Sequence, residues 1–144
     1  MQNNHLSIRK RYRLSPRSAR QKMKKQRENF GFCCGDVWNM DTYLLELIPS
    51  MLRELAATTH STPLLPEVLT IPEGQTPTIE DYYDGYVAKL KEIASQFEAV
   101  LARVEDIRTE GHDIKKAAAY CKKTQTMLNK AFKELSSIFF DLWD

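Results

Sequence analysis

Acidic residues are missing from the first 27 positions of this chain, glycine is scarce, and no apolar run is long. Five glycines in 144 residues are few, as expected of a helical chain. The longest apolar stretches, around Leu44–Ile48 and Ile138–Phe140, fall far short of the ~20 residues that span a bilayer, so no membrane partner is expected. No apolar segment follows the basic start, which excludes a secretory signal. The Arg/Ser-rich, acid-poor opening also has the composition of an organelle transit peptide, the less favoured reading. Three cysteines, an odd number with Cys33 and Cys34 adjacent, do not make a disulfide framework and suit a reducing cytosol. There is no Gly-rich phosphate loop, no Ser–His–Asp order and no HExxH. No catalytic residue, cofactor or metal is therefore assigned, and the chain is not expected to be an enzyme.

What is present is a charge split by position. Arg9, Lys10, Arg11, Arg13, Arg17, Arg20, Lys22, Lys24, Lys25 and Arg27 put ten of the 21 bases at the N-terminus. The other 117 residues hold 11 bases and all 19 acids, a net of −8. A net charge of +2 thus hides a cationic arm on an acidic body. Such a segment is normally held apart from its own fold to meet a polyanion, and these ten residues are the candidate nucleic-acid-binding set.

Residues 1–29 read as a flexible arm, because dense like charge and low hydrophobicity cannot bury enough surface to fold alone. Arg17–Arg27 is rich in good helix formers and can become helical against a partner. Residues 30–144 read as a helical body. GFCCG at 31–35 is a hinge-like turn, and Asp36 or Asp41 can cap a first helix. Pro49 predicts a kink or break in it. His60–Thr78 carries four of the six prolines and reads as a stiff connector over the surface.

Thr78-Ile79-Glu80-Asp81 has the pattern of a capping box. Ile79, Tyr83, Tyr86, Leu90, Ile93, Phe97, Val100, Val104 and Ile107 then alternate spacings of four and three, the seam of a straight helix about 43 Å long. Gly111 offers a left-handed stop and Asp113 a cap. Ile114, Ala117, Cys121, Thr124, Leu128, Ala131, Leu135, Ile138 and Leu142 carry a matching seam. The expected fold is all-α: a three-helix bundle with a long antiparallel αα-hairpin, a kinked first helix and the basic flexible arm. A heptad seam serves a dimer as well as a hairpin, so a homo-oligomer stays open.

Other stretches give weaker signals. His5, His60 and His112 have no catalytic or metal-spaced neighbours. Cys33, Cys34, His60 and Cys121 lack the close pairing by which zinc sites present two ligands from one turn, and Cys121 reads as a small core residue. Glu80, Asp81 and Asp84 beside Tyr82 and Tyr83 read as acids favoured by the helix dipole rather than as acid–base machinery. Lys115, Lys116, Lys122, Lys123, Lys130 and Lys133 form a solvated stripe, expected to pair with acids on neighbouring helices. Phe132, Phe139, Phe140 and Trp143 are expected to receive the first helix and Trp38, with Trp143 docked.

Gly31-Phe32, Asp36-x-Trp38-x-Met40-Asp41, Ile48-Pro49-x-Met51-Leu52, His60 with Pro63, an acidic helix start and Phe139-x-x-Leu142-Trp143-Asp144 together resemble a family of small uncharacterised helical proteins encoded by tailed bacteriophages. The resemblance covers residues 30–144 and leaves out the arm. Cys33 and Cys34 depart from the polar residues expected there. It implies a phage origin, and with it the host cytoplasm or the virion as location. The jobs it implies are nucleic-acid accessory, virion or assembly component, or inhibitor of a host protein. The leading expectation is an interaction protein whose arm meets nucleic acid or an acidic protein surface. With only Tyr12 as an aromatic, the arm matches charge rather than reading sequence.

Overall fold

A computed structural model describes residues 16–69, 75–110 and 114–143. They form helices α1 (Pro16–Phe30), α2 (Cys34–Trp38), α3 (Met40–Thr58), α4 (Ile79–Glu110) and α5 (Ile114–Ser137), with tighter 3-10 turns at Pro66–Val68 and Phe139–Asp141. No strand occurs among the described residues, so the all-α class holds. Gly111 and Asp113, proposed as stop and cap, lie outside the described residues. The chain divides into two compact units, Met1–Leu44 and Leu45–Asp144. Within the first unit α1 is tied to α2.

In the first unit, α1 begins with Pro16, whose fixed φ suits a first helical position. It ends at Gly31, which takes φ +76° and donates its N–H to the Arg27 carbonyl at 2.9 Å. That is the left-handed stop glycine allows. Asn39 separates α2 from α3. The single capped helix expected from Asp36 or Asp41 is therefore two: Asp36 serves α2, and Asp41 lies in the first turn of α3. α3 runs unbroken through Pro49, so the break does not occur. Proline supplies no N–H to the Leu45 carbonyl, but Leu45, Pro49, Leu52 and Ala56 are all buried, and this apolar face holds the helix together.

The second unit is organised on α4. Thr78 and Asp81 close the capping box: the Thr78 N–H donates to Asp81 Oδ2 at 2.8 Å, and the Asp81 N–H to Thr78 Oγ1 at 3.2 Å. Tyr86, Leu90, Ile93, Phe97 and Val100 are fully buried, as their spacing predicts. Ile79, in the first turn, is instead 75% exposed. Ala131 and Leu135 of α5 and Ile138 just after it join this core, as do Leu45, Leu52 and Ala56 of α3. Phe97 and Phe132 meet edge to face with centroids 5.1 Å apart. Lys89 Nζ lies 2.7 Å from Glu134, and the Tyr86 hydroxyl donates to the Asp141 carbonyl at 2.5 Å. The connector is pinned rather than merely laid across: the Tyr83 hydroxyl donates to the Thr59 carbonyl at 3.1 Å, and Val68 is buried over Gly85.

Cys121 is exposed, against expectation. A seven-residue repeat drifts by about 20° per heptad on a straight α-helix. Leu135 is buried, Leu128 half-buried and Cys121 exposed, which follows that drift out of the seam. Tyr120 takes the place instead. Its ring lies 3.9 Å beneath the Arg103 guanidinium, and its hydroxyl donates to Asp106 at 3.2 Å.

Candidate nucleic-acid interface

Of the ten candidate cations, Arg9, Lys10, Arg11 and Arg13 lie outside the described residues. The other six sit on α1. Arg, Lys, Gln, Met and Ala keep their rotamer freedom in a helix, which is why this cationic stretch can be helical. Its spacing then sorts the cations. Arg17, Arg20, Lys24 and Arg27 are three, four and three residues apart, so at about 100° per residue they share roughly 80° of the circumference. Ala19, Lys22, Met23 and Gln26 occupy the opposite side and are half-buried or buried. Lys25 is exposed on the flank.

Gln26 from the inner side and Arg27 from the edge of the cationic side fasten α1 to α2. Gln26 is buried, and its Oε1 accepts the Cys34 N–H at 3.1 Å. Arg27 grips Asp36 with two bonds: Nε to Oδ2 at 3.0 Å and Nη2 to Oδ1 at 2.5 Å. Asp36 Oδ2 also accepts the buried Cys33 N–H at 2.7 Å, capping α2. Tyr43 adds a hydroxyl bond to the Gly31 carbonyl at 2.8 Å. The Arg27 hydrogen bond outweighs the cost of burying the Asp36 carboxylate and holds its pKa down at about 2. The Asp36 hydrogen bond and nearby negative charge push the Arg27 guanidinium further above its already high value.

The solvent side is left with Arg17, Arg20 and Lys24, all exposed. Lys24 stands 3.9 Å from Glu28, a solvent-exposed contact that contributes little. Among the described residues, Arg17 and Arg20 form no ion pair.

No family model, curated protein or solved structure matches this chain. The site therefore rests on its own geometry.

The remaining candidates separate clearly. Among the described residues, no three His, Cys, Asp or Glu side chains gather as metal ligands. No described helix is long and apolar enough to cross a membrane. On α5, Lys122, Lys123, Lys130 and Lys133 are exposed, and of these Lys130 approaches Glu134 of its own helix at 3.7 Å rather than an acid on a neighbour. The Lys115 and Lys116 side chains lie outside the described residues, as does that of Trp38.

The C-terminal aromatics are not docked as expected. Phe140 is 90% exposed, Phe139 and Trp143 are more than half exposed, and the two phenyl rings stack edge to face on each other. The 3-10 turn at Phe139–Asp141 rotates these rings off the α5 seam, while Ile138 keeps the buried position. Sequence reasoning missed Gln26 and the structural use of Arg27. The signal it had was Ala19, Met23 and Gln26 recurring at four and three residues within the basic stretch.

Proposed function

We propose that this chain is a non-enzymatic, phage-encoded interaction protein whose basic N-terminal segment contacts nucleic acid or another anionic surface. The observation that carries this reading is the outer side of α1, where Arg17, Arg20 and Lys24 stand exposed on a helix whose inner side is fastened down. Polyanion binding needs a concentrated, accessible set of cations, and an anchored helix presents them without the cost of ordering. Two grooves occur among the described residues. One, of about 390 Å³, is lined by Glu92, Ser95, Gln96, Ala99, Met127 and Lys130. The other, of about 210 Å³, has Asp36 among apolar residues. Each holds a single carboxylate and no histidine or cysteine, and Asp36 is already committed to Arg27. The phage attribution, with host cytoplasm or virion as location, rests on the resemblance over residues 30–144.

The finer architecture belongs to the same reading: α3, α4 and α5 as a three-helix bundle, with α4 and α5 an antiparallel hairpin and α3 kinked at Pro49. Contacts between α4 and the segment from α5 onward run in opposite order, Tyr86 with Asp141, Lys89 with Glu134, Phe97 with Phe132, Arg103 with Thr124 and Asp106 with Tyr120. That order supports the antiparallel hairpin.

The test is binding of labelled DNA and RNA 20-mers by the full chain across salt. Neutralising six phosphates gives a log–log slope of about −5. No binding at low salt refutes the reading. A second reading, a virion or assembly component, is favoured by the exposed Phe139, Phe140 and Trp143, which suit a protein contact. Absence of the chain from purified particles by mass spectrometry removes it.

A further inference from the structure

The cations of α1 divide into two jobs, and the division names the partner more closely. We propose that Arg17, Arg20 and Lys24 form a ridge that lies along the sugar-phosphate backbone of double-stranded nucleic acid, without reading its sequence, while Arg27 is a positioning residue that holds the ridge in place through Asp36. This inference rests on the nucleic-acid reading of the same segment.

Three observations carry it. The first is register. From Arg17 to Lys24 is seven residues, about 10.5 Å along the helix axis. Each strand of a duplex carries one phosphate per about 3.4 Å of its axis, so three cations face about three phosphates.

The second is commitment. Arg27 sits on the same side of α1, but its Nε and Nη2 both bond Asp36. Asp36 is buried and caps the Cys33 N–H as well, so the pair is built into the α1–α2 junction. A phosphate that took Arg27 would leave a buried carboxylate unpaired, which is costly. Arg17 and Arg20 have no such partner among the described residues, and Lys24 has only its loose contact with Glu28.

The third is what the ridge lacks. Single strands are held chiefly by bases stacked on aromatic rings. No aromatic residue lies between Arg17 and Lys24. Phe30 stands six residues beyond Lys24 and about 120° round the helix from it. The ridge can match a regular array of charge but offers no stacking platform. Gln21, four residues from Arg17 and three from Lys24, is an exposed amide on the same side. Cations in register with the phosphates meet the backbone, which carries no sequence information.

The experiment uses the full chain and fluorescence anisotropy with a labelled 20-base-pair duplex across salt. Three variants are compared with the wild type: the triple R17Q/R20Q/K24Q, R27Q, and D36N. Removing three phosphate contacts lowers the magnitude of the log–log slope by about 2.7. The triple variant is expected to show this loss while keeping the wild-type thermal midpoint. R27Q is expected to lower the midpoint and leave the slope within half a unit of wild type. D36N keeps every base and is expected to lower the midpoint too. A triple variant with the wild-type slope, or an R27Q that loses a full unit of slope at an unchanged midpoint, overturns the division of labour. Two duplexes of different sequence are expected to bind within about threefold, and a single strand of equal length more weakly. A single strand that binds as tightly as the duplex overturns the partner assigned. A wild type that binds neither at low salt removes the underlying nucleic-acid reading itself, a result distinct from all of these.

Discussion

Replacing Gly85 with alanine sets two effects of opposite sign against each other. Gly85 lies inside α4, and glycine in a helix interior costs about 1 kcal/mol relative to alanine. Propensity alone therefore predicts that G85A stabilises the protein. The packing predicts the reverse. A Cβ at this position stands 2.4 Å from the Val68 carbonyl oxygen and 3.1 Å from both the Val68 carbonyl carbon and Cγ2. Carbon and oxygen in contact normally sit about 3.3–3.6 Å apart, so the overlap is about 1 Å. The nearest atom is backbone and cannot rotate away. Either the helix and the Pro66–Val68 turn move apart, or strain of about 1–3 kcal/mol is accepted. If the turn lifts off, the burial of Val68 is lost, about 1.5–3 kcal/mol for a full side chain.

Against a gain of about 1 kcal/mol, a cost near 2–3 leaves G85A less stable by about 1–2 kcal/mol. Urea unfolding followed by circular dichroism at 222 nm measures this as a lower midpoint at an unchanged slope. A102G, at an exposed α4 position, is the control and is expected to cost about 1 kcal/mol, showing that propensity acts normally in this helix. V68A added to G85A does not restore stability, because the closest clash is with the carbonyl oxygen. A G85A protein as stable as wild type or more so, beside a normal A102G, refutes the close approach of Val68 to α4.

Other outcomes follow from the same packing. F97A removes a fully buried ring and its edge contact with Phe132, and is expected to cost about 3–5 kcal/mol by urea unfolding. Y86F removes the hydroxyl that holds the Asp141 carbonyl, and is expected to cost about 1 kcal/mol and speed proteolysis at Phe139–Trp143. Acid destabilises the fold with a definite sign. Asp36, held down at about 2 by Arg27, and Asp81, Glu98 and Glu134, each lowered by hydrogen bonds from Thr78, Arg53 and Lys89, bind protons more readily unfolded than folded. Their contribution is complete above the ordinary carboxylate range and for Asp36 is lost between 3.8 and about 2, so stability measured down that range falls more steeply in wild type than in D36N.

How much of this was legible in sequence depends on whether a residue's role is set locally. The capping box at Thr78–Asp81 and the α4 seam from Tyr86 to Val100 follow from neighbours in the chain, and both stand as expected. Cys121 does not, because a repeat of seven on a helix of 3.6 residues per turn leaves the contact line after two heptads, and where the line lies is fixed by the partner helix. Trp143 fails for a related reason: the 3-10 turn at Phe139–Asp141 changes the helical phase just before it. Gly85 carried no signal at all, since only the approach of Val68, 17 residues earlier, makes the missing Cβ matter.

The basic segment shows the same limit on the functional side. Counted in sequence, Arg27 is one of ten equivalent cations. In the fold it is bound through two nitrogens to a carboxylate nine residues on, while Arg17, ten residues before it on the same side of the helix, is exposed. Charge composition reports how much positive charge a segment holds and never how much of it is free. Asp36 made this visible: its one carboxylate caps α2 and consumes Arg27 together, so an acid nine residues past the basic run decides which of its members remain for a partner. A cationic arm is read correctly only after its internal counterions are found.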